Sequence, residues 1–230
     1  LVLRTPVSSK SVVIVGHGPS LKGACQGPKI DAFDCVVRLK NCYMLLAEYA
    51  DYGRKTDVMC SSTEVLPTIA KVKAKEYWCY PKKGDYNLAG VQQLERKVAG
   101  RIRVPQKVSI FWNAAFVELG GKHPNVSTGM AAIIFALEFR KPEVLTLAGF
   151  DKVLNPKIEG YESTVPTEFN DGGKKDTGHD WLKERELLGY LATHYQARIV
   201  DIAGRHDIQP GGIPEVRLEV SRGAEETLPR

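Results

Sequence analysis

Near its start the chain carries an uninterrupted run, Val12-Val13-Ile14-Val15, that breaks into Gly16-His17-Gly18-Pro19-Ser20-Leu21. Consecutive β-branched residues with no polar alternation suit a strand buried on both faces, and such strands belong to parallel sheets with helices on either side. The glycines give a sharp exit from that strand into a short helix. A second apolar run, Asp34 to Leu39, follows at a distance that leaves room for one helix, so the chain opens as a βαβ unit.

The same alternation continues. Asp57 to Cys60 is expected as a third short strand, Leu66 to Lys75 as a basic helix, and Glu76 to Tyr80 as a fourth strand stopped by Pro81. Within the polar segment 82–107, Gln92 to Ala99 reads as helix, and Val108 to Trp112 reads as another strand. Ser127 offers an N-cap to a helix from Gly129 to Arg140, Pro142 ends it, and Val144 to Ala148 follows as a buried strand closed by Gly149. Residues 151–178 have no periodicity and read as a long loop. Asp180 to Tyr195 is an amphipathic helix, and Ala197 to Ile202 is a last strand. Strands and helices in this order predict an α/β fold with a mostly parallel sheet covered on both faces, whose ligands bind beyond the carboxyl ends of the strands. With 43% hydrophobic residues, 1–210 are expected to form one domain, leaving 211–230 as a tail that is an arm or disordered.

Several chemistries are disfavoured. The third glycine of a dinucleotide fingerprint is replaced by Leu21, and the second strand ends in Leu39-Lys40-Asn41 with no acidic ribose binder. There is no phosphate-loop signature, no Asp-x-Asp pair, and no local pairing of His17, His123, His179, His194 and His206 that would hold a metal. Five cysteines without a C-x-x-C pair predict free thiols and a cytoplasmic location. The chain begins at Leu1, not Met, so an upstream leader or anchor is a further expectation. A net charge of +5 suits an anionic ligand, but 32 basic against 27 acidic residues do not by themselves specify nucleic acid.

A phosphate-bearing ligand bound without a metal must be neutralised by positive charge, hydroxyls and helix N-termini. Lys40, Ser127, Thr128, the amides of Gly129 and Met130, and Tyr161 are candidates, and Gly16 and Gly18 let a ligand approach the backbone. Ser127 reads equally as a structural cap. His179, which follows Gly178 and precedes a helix, is either a proton acceptor for a substrate hydroxyl or a surface capping residue. Glu184 either orients the loop or forms a surface pair.

In this order the segments resemble the sialyltransferases, most closely glycosyltransferase family 29, with the bacterial family 42 enzymes as a second match. The large sialyl motif is similar to Val13 to Asn41, the small motif to Ser127-Thr128-Gly129-Met130 with Gly149-Phe150-Asp151, and the final motif to His179 and Glu184. The resemblance implies an α/β/α sandwich with a Rossmann-like, GT-A-like sheet and a metal-independent inverting glycosyltransferase. It would move sialic acid, or the related acidic sugar Kdo, from a CMP donor to an acceptor hydroxyl on a glycan or glycoconjugate. It makes His179 the general base and gives the donor to Gly16, His17, Gly18, Ser20, Lys40, Asn41, Ser127, Thr128 and Gly129, with Tyr161 on the phosphate. The family has asparagine where His17, Ser20 and Lys40 stand, and its animal members have a cysteine pair that this chain lacks, differences that favour a microbial or viral, intracellular relative. Two alternatives stand beside this reading: a transferase of the same fold that modifies a nucleic acid or other polyanion from another nucleotide sugar, and a non-catalytic nucleotide-binding module.

Overall fold

The computed structural model describes residues 11–42, 45–62, 70–81, 88–157 and 179–211. One sheet runs through them in the spatial order β5-β4-β3-β2-β1-β6-β7-β8. Its strands are β1 Val12–Val15, β2 Cys35–Leu39, β3 Val58–Ser62, β4 Glu76–Tyr80, β5 Arg101–Arg103, β6 Val144–Ala148, β7 Arg198–Asp201 and β8 Asp207–Ile208. All neighbours are parallel except β7 and β8.

β1 lies between β2 and β6, with Val15 opposite Arg38 on one side and Ala148 on the other. The chain builds outward from β1 to β5, then returns to the far side of β1 to place β6. That reversal makes the carboxyl ends of β1 and β6 the topological switch point, where open α/β sheets bind their ligands.

Helices cover both faces. On one face Ile30 of α1 (Gly27–Asp31) and Tyr52 of α2 (Tyr49–Tyr52) pack on Val13, Val15 and Val36, while α3 (Leu88–Glu95) buries Val91 and Leu94 on Met59, Tyr77 and Cys79. On the other lie α4 (Gln106–Glu118), α5 (Thr128–Arg140) and α7 (Trp181–Tyr195), with the short α6 (Asp151–Leu154) beside them. α5 is the central helix: Met130 to Leu137 are all buried, which is why its sequence is apolar all round. Among the described residues no helix is long and apolar enough to cross a membrane. Cys25, Cys35, Cys42, Cys60 and Cys79 are free thiols.

The strands β1 to β4 and β6 fall where the sequence places them, within a residue or two at each end. Val108 to Trp112 does not: these residues lie inside α4. Four β-branched and aromatic residues among five mimic a strand, but burial falls on Ser109, Trp112, Ala115 and Phe116, a helical spacing that a five-residue window cannot show. The helix expected over Leu66 to Lys75 is also absent where it is described, since 70–75 form turns. There the Tyr77 hydroxyl donates to the Val72 carbonyl at 2.7 Å and accepts from the Ala74 amide at 3.1 Å, satisfying backbone groups that a helix would pair along its own axis. The loop expected from 151 begins instead with α6, and the short strands β5 and β8 carry too few residues for a periodic signal. Tyr161 and the tail 212–230 lie outside the described residues.

Candidate active site

At the switch point the turn after β1 is stitched to the turn after β6. The Gly16 amide donates to the Ala148 carbonyl at 2.7 Å, the Gly18 amide to the Gly149 carbonyl at 2.9 Å, and the Ser20 amide to Asp151 Oδ2 at 2.9 Å. A Cβ at Gly16 would lie 2.5 Å from the Gly149 carbonyl oxygen, and one at Gly18 would lie 2.5 Å from Asp151 Oδ2. The two glycines are thus required by the approach of the protein's own second turn, and their amides are engaged within it. Asp151, buried at the start of α6, is the residue that locks this junction. The Ser20 hydroxyl is buried beside it and makes no hydrogen bond among the described residues.

His17 projects from the same turn with its Nε2 buried. Burial, then the charges of Lys40 and Arg38, pulls its pKa down to about 4, so it is a neutral imidazole at pH 7. Lys40 follows the end of β2, where Arg38 lies opposite Val15, and so stands beside the β1 turn. Asn41, the next residue, takes a left-handed φ of 67°, which asparagine tolerates better than most side chains.

The N-terminus of α5 meets this edge from above. A Cβ at Gly129 would lie 3.0 Å from the Phe150 ring and 3.7 Å from Leu39 at the end of β2, so the Ser-Thr-Gly segment sits over β2, β1 and β6 together. Ser127 is the N-cap, its Oγ accepting from the Met130 amide at 3.1 Å. That hydroxyl is fully committed, because it also donates to Glu184 Oε2 at 2.8 Å while the Ser127 amide donates to Glu184 Oε1 at 2.6 Å. Helix geometry leaves the amides of Thr128 and Gly129 without intrahelical acceptors, and these, with the Thr128 hydroxyl, are the donors the cap leaves open.

Glu184 is therefore no surface pair. It is 1% exposed, and from the first turn of α7 it holds the cap of α5. His179 lies just before α7 with 42% of its side chain exposed, its Nδ1 4.0 Å from Glu184 Oε1 and its ring 4.8 Å from that of Trp181. The capping role falls to Asp180, whose side chain accepts from the Lys183 amide at 3.3 Å, so His179 does not cap α7.

A further polar chain continues along this edge. The Tyr80 hydroxyl, at the end of β4, donates to Asn113 Oδ1 at 2.8 Å, which also accepts from the Val126 amide at 3.2 Å, while Asn113 Nδ2 donates to Asn125 Oδ1 at 3.2 Å. Burial pushes the Tyr80 phenol well up, and the Glu184 carboxylate adds to the shift; because Val126 directly precedes Ser127, the network lies beside the cap. Sequence reading missed Asn113 because it adjoins the segment read as a strand; on a helical phase it shares the inward side with Trp112 and Phe116.

Two shallow hollows formed by the described residues lie elsewhere, one lined by Arg103, Pro105, Lys107 and Phe139 and the other by Lys29, Arg198, Val200 and His206. The polar groups converge instead at the carboxyl ends of β1, β2 and β6, where Glu184 joins Ser127 to the His179 side. No group of three or more potential ligands among the described residues is arranged to hold a metal ion.

Residues 4–99 match the family model for glycosyltransferase family 29 (sialyltransferase). The fold is similar to two crystal structures of a mammalian sialyltransferase. One is in complex with Gal-beta-1-3GalNAc-ortho-nitrophenol: it has a TM-score of 0.52 at 20% identity, over 84% of this chain and 70% of that one. The other has a TM-score of 0.52 at 21% identity, over 84% and 69%. No curated protein matches the chain. At such identity the structural likeness speaks for the fold, and the family model for the sequence of the first strands. By residues 4–99 in sequence and by its sheet in architecture, the chain is glycosyltransferase family 29-like, resembling the sialyltransferases.

Proposed function

We propose that the protein is an inverting glycosyltransferase that takes an acidic sugar, sialic acid or Kdo, from its CMP donor without a divalent ion. The observation that carries this reading is the meeting of two motifs more than fifty residues apart in the chain: Glu184 binds Ser127 at 2.6 and 2.8 Å and lies 4.0 Å from His179. A cradle for phosphate and a basic group for a hydroxyl thus share one support.

In the reaction the donor phosphate faces the open amides of Thr128 and Gly129 and the Thr128 hydroxyl, where the positive end of α5 stabilises its charge. Lys40 adds a cation on the β1 side. His179 accepts the proton of the acceptor hydroxyl as its oxygen forms a bond to the anomeric carbon; the bond from that carbon to the phosphate oxygen breaks, and CMP leaves with the electron pair. Attack opposite to the leaving group inverts the anomeric centre. Glu184 acts through Ser127 and the His179 ring, fixing their relative position.

Calorimetric titration with CMP, UMP and GMP tests the donor: binding of CMP above the other two is expected, and failure to bind CMP would sink the proposal. Activity should survive EDTA, whereas strict metal dependence would contradict the assignment of phosphate charge to α5 and Lys40. The nucleic-acid acceptor raised by the net charge of +5 gains no support from the family match or from the fold.

A further inference from the structure

The edge of the sheet opposite the candidate active site has its own chemistry. There the turns that lead into β4 and β5 lie side by side, because the two strands pair in parallel from Glu76 and Arg101 onward. The contact is close: a Cβ at Gly100 would lie 2.4 Å from the Ala74 carbonyl oxygen, and the Arg101 amide donates to the Lys75 carbonyl at 2.9 Å. The two segments read Lys-Val-Lys-Ala-Lys over 71–75 and Glu-Arg-Lys-Val-Ala-Gly-Arg over 95–101. Their alternation has a structural cause. Val72, Ala74 and Val98 turn inward to pack with Tyr77 and Ile102, so Lys71, Lys73, Lys75, Arg96, Lys97 and Arg101 are all left exposed. Glu95 is the one acid within these segments. Lys75 leans on Asp57, but Lys73, Lys97 and Arg101 enter no ion pair with the described residues.

We propose that this amino-terminal edge is a docking surface for an anionic lipid bilayer. The patch is built from the turns that lead into β4 and β5. The exposed aromatic side chain among the described residues, Tyr49, lies on α2 beneath Arg54, and Tyr77 and Trp78 are buried, so the patch offers bases nothing to stack on. Exposed lysine and arginine heads on long stems fit a diffuse plane of charged headgroups. Docking by this edge leaves the carboxyl ends of the strands, with His179 and Thr128, facing away from the bilayer and open to a soluble donor and acceptor. The inference does not depend on the donor assigned above.

The test is sedimentation of the full chain with phosphatidylcholine vesicles, with and without phosphatidylserine, and with a single-stranded oligonucleotide as competitor. The wild type should bind only the serine-containing vesicles and be released by raised salt. Each basic residue at such a surface multiplies partitioning roughly fivefold, so the triple variant Lys73→Gln/Lys97→Gln/Arg101→Gln should lose about 100-fold. Its circular dichroism and melting temperature should stay at the wild-type level, since the three side chains are exposed and enter no ion pair with the described residues. Equal binding by the variant, indifference to phosphatidylserine, or displacement of vesicles by oligonucleotide at equal charge concentration would overturn the proposal.

Discussion

Replacing Glu184 tests how the site is held together. Its carboxylate accepts two hydrogen bonds from one residue, the Ser127 amide at 2.6 Å and the Ser127 hydroxyl at 2.8 Å, in a place that is 1% exposed. In Glu184→Ala the Ser127 amide is left buried without an acceptor, the bond from the hydroxyl is lost and a void opens. A buried unsatisfied group costs about 1–3 kcal/mol and a bond to a charged group about 1.5–3, so a loss of roughly 3–5 kcal/mol is expected. For a chain of this length each kcal/mol moves the melting temperature by about 2–4 °C, so the midpoint should fall by roughly 10 °C. Glu184→Gln keeps the shape and one acceptor, and its amide can donate to the Ser127 oxygen once that hydroxyl turns, so about 1–2 kcal/mol is expected. A double-mutant cycle with Ser127→Ala, read by urea denaturation, should give a coupling of about 1–3 kcal/mol. If Glu184→Ala melts with the wild type, or the two substitutions act additively, the buried link between α7 and α5 is not what positions the site.

The neutral His17 makes stability depend on pH. Its folded pKa of about 4 lies below the unfolded value of 6.5, so between them the unfolded chain binds more protons: the contribution is complete above pH 6.5 and is lost as pH falls towards 4. The loss is at most roughly 3 kcal/mol, and His17→Asn should flatten the acid limb of a urea-midpoint profile; an unchanged slope would refute the burial argument. Gly18 has an ordinary extended φ of −70°, so Gly18→Ala isolates the steric contact with Asp151 and Gly149, and should cost about 1–3 kcal/mol in denaturant, whereas an unmoved midpoint would contradict the tight junction.

Where the sequence was legible, burial on both faces made it so. β1, β2, β4 and β6 are runs whose every residue, or nearly every one, is enclosed, and their alternation with helices implied the mostly parallel sheet, while the reversal at β1 is set by pairings distant in the chain. The Ser127 cap was readable from a small hydroxyl before an apolar helix. Hidden were features made by contacts distant in the chain. Gly16 and Gly18 looked like space for a ligand, yet it is the turn after β6 that fills it, and nothing local to residue 184 announces that its carboxylate reaches Ser127. Val108 to Trp112 misled because side-chain type outweighed a period visible only over the full length of α4.

In the proposed reaction His179, held beside the α5 cap, removes the acceptor proton. The direct measurement is steady-state transfer by His179→Ala from a CMP-linked acidic sugar, with CMP affinity measured on the same preparation. A fall in kcat of about 100-fold or more with CMP affinity and melting temperature unchanged is the predicted result. Undiminished turnover would contradict it, and would leave the exposed His179 ring as no more than a neighbour of Trp181.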